Sequence, residues 1–395
     1  MAAAKGQHIF LTGVFVVTIF GVGLLQSGLE VSRGQRPRAA DLFLKKPTEA
    51  NLRAYERNLE EASWFAEKVR PTVQYARFML LDDAGPKTIL GREGWLFYRP
   101  GVRYLIEPWP PKSGSGEGQG DPVSAILDFR DQLRARGIQL LVVPVPGKAS
   151  VYPEMLTERA PAPGQPLAGH TRNIIAQLEE AGVAVVDLFE VFDRAKRGEE
   201  PGGKTKYYLP QDTHWSPEGM RLAAEATARK LLELGLVERG QVQYDLKPVA
   251  VERRGDIVRM MQAPRIERCF PAETIDCTQV VHRQSGEVYR DDPGSQILVL
   301  GDSFLRIYEQ DAPGSGGMIA HLARELGFPL ASLVNDGGAS TLVRQALARK
   351  PALLANKKVV VWEFIERDIR FGMEGWRNVP LPAERQAGAA AAMLE

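Results

Sequence analysis

Four short, almost purely apolar runs constrain this chain more than any other feature. They are QLLVVPV (139–145), VAVVDL (183–188), ILVL (297–300) and VVVW (359–362). Each is too short for a buried helix and lies among turn residues, so each reads as a strand covered on both faces. Pro329–Val334 reads as a fifth. Helical stretches lie between them. Residues 125–136 form one, ended by Gly137, and 173–181 form another. A third has Ser216 as its N-cap and Pro217 at its first position, runs through Leu234 and ends at Gly235. Strands alternating with helices predict an α/β fold: a parallel sheet with helices on both faces.

Composition narrows the function classes. Lys and Arg number 50 against 49 Asp and Glu, a net charge of +1, which leaves no basic footprint for nucleic acid. Two cysteines are too few for a disulfide-built scaffold or a Cys-rich zinc module. With 44% hydrophobic residues the chain is globular, and 395 residues give room for one large domain or two ordinary ones.

The N-terminal stretch Ile9–Leu25 is uncharged and sits at the short limit of a membrane span. No clean small-x-small cleavage site follows, so an uncleaved signal anchor is expected, with a cleaved signal peptide as the alternative. Arg33, Arg36 and Arg38 follow the span and only Lys5 precedes it. By the positive-inside rule alone that would keep the large domain in the cytoplasm, but large domains are exported largely regardless of flanking charge. Residues 1–40 are thus read as anchor and tether, 41–380 as the main domain and 381–395 as a tail. Within the domain, Leu52, Tyr55, Leu59, Trp64, Phe65, Val69, Val73 and Phe78 fall near helical spacing, and Pro71 is expected to split them into two helices. Residues 91–98 read as a turn and a strand, 110–122 as a flexible loop, and 236–295 as irregular and strand-poor.

In open parallel sheets functional groups gather beyond the carboxyl ends of the strands. Three stretches belong there. Gly301-Asp302-Ser303 follows ILVL and puts a serine at a helix N-terminus, where backbone N–H groups face developing negative charge. Asp212-Thr213-His214 lies just before the helix capped by Ser216, with the carboxylate placed to orient the imidazole. Asn335-Asp336-Gly337-Gly338 follows LASLV, and its glycines would let the backbone approach a ligand. No further His, Asp or Glu cluster suggests a metal, and no nucleotide or CoA signature suggests a cofactor. Arg253, Arg254, Arg259, Arg265 and Arg268 read as solvated surface residues rather than the lining of a binding groove.

Together the three stretches resemble the SGNH (GDSL-like) hydrolases. There the serine block normally comes first, whereas here Asp212 and His214 precede Ser303. That reversed order resembles the circularly permuted branch, the bacterial alginate O-acetyltransferases of the AlgJ/AlgX type. Gly91-Arg92-Glu93-Gly94-Trp95-Leu96-Phe97 matches that branch's G-x-x-G-W-L-F. Val145–Pro153, Gly255-Asp256-Ile257 and Val361–Arg367 resemble further blocks of it, so the likeness runs from about residue 50 to 370. It departs at one point: the usual oxyanion Asn of a G-x-N-D block is absent, and the strand end reads Val361-Trp362-Glu363. After Arg370 too few residues remain for an appended carbohydrate-binding module.

The resemblance implies a circularly permuted SGNH-like sheet with a Ser303–His214–Asp212 triad. The amides of Ser303 and of Gly337 or Gly338 become the oxyanion donors. It implies acetyl transfer to hydroxyls of an exported polysaccharide, through an acetyl-serine. The donor partner would be a membrane-bound O-acyltransferase, and the location the periplasmic face of the inner membrane. An acetyl-esterase with the same triad, and a non-catalytic polysaccharide-binding assembly factor, are the rival readings. Export would also let Cys269 and Cys277, eight apart, close a short disulfide loop; in the cytoplasm they would be two thiols.

Overall fold

The computed structural model describes residues 10–44, 46–48, 51–52, 55–56, 58, 63–108, 120–161, 169–198, 205–336 and 338–382. The chain divides into two compact units: Met1–Ala84 with Gln262–Cys269, and Gly85–Met261 with Phe270–Glu395. Residues 109–119 of the expected flexible loop and 383–395 of the tail lie outside the described residues.

The first unit contains helix α1, Phe10–Ser32. It has a mean hydropathy of 1.9 and none of its apolar window is buried. Twenty-three residues at 1.5 Å each reach about 35 Å, enough to cross a bilayer. Its polar end is tied down at Glu30, which accepts from Gln26 Nε2 at 2.9 Å and from the Arg38 amide at 2.8 Å. Helix α2, Trp64–Leu81, begins at Ser63, whose Oγ accepts from the Ala66 amide at 3.1 Å. It runs straight through Pro71 instead of splitting there. No residue of α2 is buried, so water can satisfy the Glu67 carbonyl that the proline leaves without a donor.

In the second unit, β1 (Thr88–Leu90) and β2 (Leu96–Tyr98) form a hairpin. The central sheet contains β3 (Gln139–Val145), β4 (Ala184–Val185), β7 (Ile297–Gly301), β8 (Ala331–Val334) and β9 (Val359–Ile365). Its order is β4-β3-β9-β7-β8, every neighbour parallel. Side chains alternate between its faces. Leu141, Val143, Val299 and Val361 pack with helices α5 (Leu188–Lys196), α6 (Pro217–Glu233) and α7 (Met318–Leu326). Val142, Leu298, Val360 and Trp362 pack with α3 (Pro122–Arg134), α4 (Gly169–Glu180) and α8 (Thr341–Ala348). The three-layer α/β architecture expected from the apolar runs is therefore present. Strand β4 is shorter than VAVVDL suggested because Asp187 ends it. The Asp187 carboxylate caps α5, accepting from the Phe189 and Glu190 amides at 2.9 and 3.2 Å.

Two expectations are corrected. Residues 236–295 are not strand-poor. They contain β5 (Tyr244–Arg253) and β6 (Glu273–His282), ten residues each, paired antiparallel from Tyr244↔His282 to Arg253↔Glu273. The second correction concerns the cysteines, which are free thiols and not a disulfide. Cys277 lies on β6 opposite Val249, buried in the core of the second unit, and burial pushes its thiol up to about 12. Cys269 belongs to the first unit, is exposed, and directs its Sγ at the Arg265 carbonyl, 3.7 Å away.

Chain order explains where a site can form. From β3 the chain moves outward to β4, and from β7 it moves outward the other way to β8. Strand β9, last in sequence, fills the gap between β3 and β7. That divergence opens a crevice beyond the carboxyl ends of β3, β9 and β7.

Candidate active site

Ser303 opens the helical turn Ser303–Arg306 directly after β7. The turn is held by Asp302, whose Oδ1 accepts from the Phe304 amide at 2.8 Å. Gly301 is needed because a Cβ there would collide with Glu363 Oε2 and Leu305. As first residue of the turn, Ser303 has no intrahelical carbonyl for its own N–H.

The loop before α6 brings the other two residues. It folds back on itself through the Tyr208↔Trp215 bridge, with the Leu209 amide donating to the His214 carbonyl at 3.2 Å. Lys148, buried after β3, pins it. Its ammonium donates to the carbonyls of Leu209, Pro210 and Asp212 at 3.0, 2.9 and 2.6 Å. Three carbonyls match its three N–H bonds, although burial draws the group down to about 7.

The three residues converge despite their separation in sequence. His214 Nε2 accepts from Ser303 Oγ at 2.8 Å, and Nδ1–H donates to Asp212 Oδ1 at 2.6 Å. His214 and Asp212 are buried. Asp212 Oδ2 accepts from Arg253 Nε at 2.9 Å and from the Asp256 amide at 3.1 Å. Burial pushes the Asp212 carboxyl up, but the imidazole and the Arg253 guanidinium outweigh it and hold the group well below its usual range. Asp256 sits on the other side of Thr213. It accepts from the Thr213 hydroxyl at 2.5 Å and amide at 2.7 Å, and burial followed by the Asp212 charge raises it. Such a chain can take a proton from the serine hydroxyl and hold the resulting imidazolium beside an anion.

Donor atoms of Asp212, His214 and Asp256 all lie within 4.8 Å of one another, close enough to suggest a cation site. Each is already engaged: Asp212 by the imidazole and Arg253, Asp256 by Thr213. Of the proposed oxyanion donors, Gly337 lies outside the described residues. Gly338 has a φ of +143° and spends its N–H on the Asn335 carbonyl at 3.2 Å, closing the turn after β8.

Sequence reasoning missed several members of the site. The sequence makes Arg253 a solvated surface residue, yet its side chain is only 12% exposed and pairs with Asp212. It lies 41 positions from its partner, so no local pattern announces it. The GDI and VPGKASVYP blocks supplied the signal for Asp256 and Lys148, without their roles. Gly255 is explained by contact, since a Cβ there would overlap the Gln211 carbonyl of the loop that carries Asp212.

A parallel α/β sheet with a serine after one strand, bonded to a His–Asp pair from a separate loop, defines the SGNH hydrolase-like class. Residues 88–366 match the family described as SGNH hydrolase-like domain, acetyltransferase AlgX, and the chain belongs to that family. A relative from Pseudomonas putida, named probable alginate O-acetylase AlgJ, is 27% identical over 300 residues, 73% of this chain and 72% of the relative. The alginate biosynthesis protein AlgX of Pseudomonas aeruginosa is 26% identical over 181 residues, 44% of this chain and 37% of that protein. The O-acetyltransferase domain of Pseudomonas putida AlgJ superposes with a TM-score of 0.58 at 22% identity, covering 75% of this chain and 94% of that domain. Pseudomonas aeruginosa AlgX gives 0.52 at 21% identity, covering 70% and 62%. These two structures share the fold.

Proposed function

We propose that this protein is an O-acetyltransferase that acetylates hydroxyls of an exported polysaccharide of the alginate kind, through an acetyl group carried on Ser303. The observation that carries the reading is the continuous bond path from Ser303 Oγ through His214 to Asp212, at 2.8 and 2.6 Å, in a chain of the AlgX acetyltransferase family. Ser303 Oγ attacks the acetyl carbonyl of a donor while His214 Nε2 takes the hydroxyl proton. The tetrahedral intermediate places its negative oxygen at the Ser303 N–H. Collapse breaks the bond to the leaving group, which receives the proton from the imidazolium. A sugar hydroxyl, deprotonated by the same nitrogen, then attacks the acetyl-serine, and Ser303 recovers its proton. Asp212 holds the imidazole and balances its charge throughout.

Helix α1 supports placement of the chain at a membrane, and we place the catalytic unit on the periplasmic side of the inner membrane. A membrane-bound O-acyltransferase would supply the acetyl group there. The test is an incubation of the protein with an activated acetyl ester and a uronate oligosaccharide. Acetylated sugar that disappears in Ser303→Ala is the expected result. Free acetate alone would make the protein an esterase. An unacetylated Ser303 would leave a polysaccharide-binding factor.

A further inference from the structure

Behind the Asp212 carboxylate lies a row of alternating charges that the acetyl-transfer steps do not use. Arg253, at the end of β5, donates through Nε to Asp212 at 2.9 Å and through a terminal nitrogen to Asp311 Oδ2 at 3.4 Å. Asp311 is also paired with Arg306, the last residue of the turn that Ser303 opens. Arg306 Nε in turn donates to Asp336 in the turn after β8, at 2.9 Å. The row therefore joins the loop of Asp212 and His214, the turn of Ser303 and the turn after β8. Arg253 is the member best shielded from water: its side chain is 12% exposed, against 27% for Asp311 and 28% for Arg306.

We infer that Arg253, braced by Asp311, is a positioning residue for acyl transfer, fixing the Asp212 carboxylate against His214 and setting by its charge the pH at which the imidazole becomes a base. The inference rests on the acetyl-Ser303 reading. Its physics is Coulombic. The charged or titratable groups around the imidazole are Asp212 on its own loop, Asp256 at 3.6 Å, Asp302 beside Ser303, Arg253 behind the Asp212 carboxylate, and Lys148 after β3, whose ammonium meets the Asp212 carbonyl at 2.6 Å. Arg367 lies further off, stacked on the Phe304 ring that itself packs on His214. Lys148 bonds main-chain carbonyls, whereas Arg253 is bonded to the Asp212 carboxylate itself, so it opposes imidazolium formation while anchoring the anion that favours it. The geometry also demands an arginine. One nitrogen serves Asp212 and another serves Asp311, a bridge that the point charge of lysine does not reproduce.

The experiment is the burst rate of Ser303 acetylation by a nitrophenyl acetate, followed across pH in the full chain. In Arg253→Met the acid limb should move to higher pH by about one unit, because the imidazolium loses a repelling cation. The plateau should fall roughly 10–100-fold as Asp212 loses its brace. Arg253→Lys should return the limb to the wild-type pH while the plateau stays low. Asp311→Asn should move the limb the other way, by a few tenths of a unit, since it removes an anion instead. Opposite shifts from the two neutralisations are something a merely structural role would not produce. A limb that stays in place while only the plateau drops overturns the inference. Should Arg253→Met fail to fold, the Asp311→Asn profile decides, and a limb that is unmoved or shifted upward overturns it. Wild-type protein without any burst overturns the acetyl-serine reading, and the inference falls with it.

Discussion

Two fully buried carboxyl groups flank Ser303, and their surroundings push them in opposite directions. Asp212, on the His214 side, receives hydrogen bonds from the imidazole, the Arg253 guanidinium and the amides of His214 and Asp256. Those partners overcome its burial and keep it an anion. Glu363 sits on central strand β9, beneath Gly301, at a sheet position where an apolar side chain would be usual. Its Oε2 accepts from the Asp302 amide at 3.1 Å, and its Oε1 is buried without a partner. Burial, and then the like charge of Asp302, raise it well above the ordinary carboxyl range. Equal burial thus leaves a carboxyl lowered where cations and N–H groups converge, and raised where they do not. Catalysis as proposed needs the first, and the second accepts from the Asp302 amide at the entry to the serine turn.

The largest effect should come from abolishing the anion. Asp212→Asn removes the counter-charge of the imidazolium and should slow Ser303 acetylation by roughly 10³–10⁴-fold, measured as the burst rate at neutral pH. The linkage has a definite sign. A carboxyl held below its unfolded value contributes stability at neutral pH that is lost as pH falls through the folded value. Denaturant titrations below pH 4 should therefore show a shallower acid loss in Asp212→Asn than in wild type.

A smaller effect should follow when the brace of the anion's loop is cut. Lys148→Met strands three loop carbonyls, two of them fully buried bonds, and should cost ~3 kcal/mol in urea unfolding. Acetylation should slow about tenfold as the loop loosens. Unchanged stability would mean that the loop is held by other contacts and that Lys148 has another task.

The smallest change should be Glu363→Gln, which keeps the shape of the side chain and removes its titration. Activity should stay within about twofold of wild type, and stability at pH 5 within ~1 kcal/mol. Here the sign reverses. A carboxyl raised above its unfolded value of 4.5 makes stability fall as pH rises from there through the folded value. Asp368, raised by burial to about 6, contributes to the same decline. Glu363→Gln should therefore flatten the decline without abolishing it. Wild-type and Glu363→Gln curves of equal slope across this window would mean that Glu363 is not raised and would remove the contrast with Asp212.

The same contrast governs what was legible in the sequence. Apolar strands announce themselves because burial on both faces leaves no alternative composition: QLLVVPV was read to its observed ends, 139–145. Ser303, His214 and Asp212 were legible because each sits at a strand or helix end with its turn chemistry beside it. The β5–β6 ribbon was not. One of its faces is largely solvated, so YDLKPVAVER and ETIDCTQVVH mix charges with apolar residues, and nineteen residues rather than a tight turn join the two strands. Arg253 and Glu363 were opaque for a related reason. The state of each depends on partners distant in sequence: Asp212 lies 41 positions from Arg253, and Asp302 61 positions from Glu363. The cysteines misled because spacing alone does not say that one belongs to a packed strand and the other to an exposed turn.

The central claim is that Ser303 carries the acetyl group, and the most direct test is to trap it there. Wild-type protein would be mixed with a nitrophenyl acetate, quenched in acid within the burst, digested and examined by mass spectrometry. One acetyl group on the peptide containing Ser303 is expected, lost on addition of a uronate oligosaccharide as the sugar becomes acetylated, and missing in Ser303→Ala. Acetyl transfer to the sugar by Ser303→Ala protein at the wild-type rate, or label on a different side chain, would contradict the account.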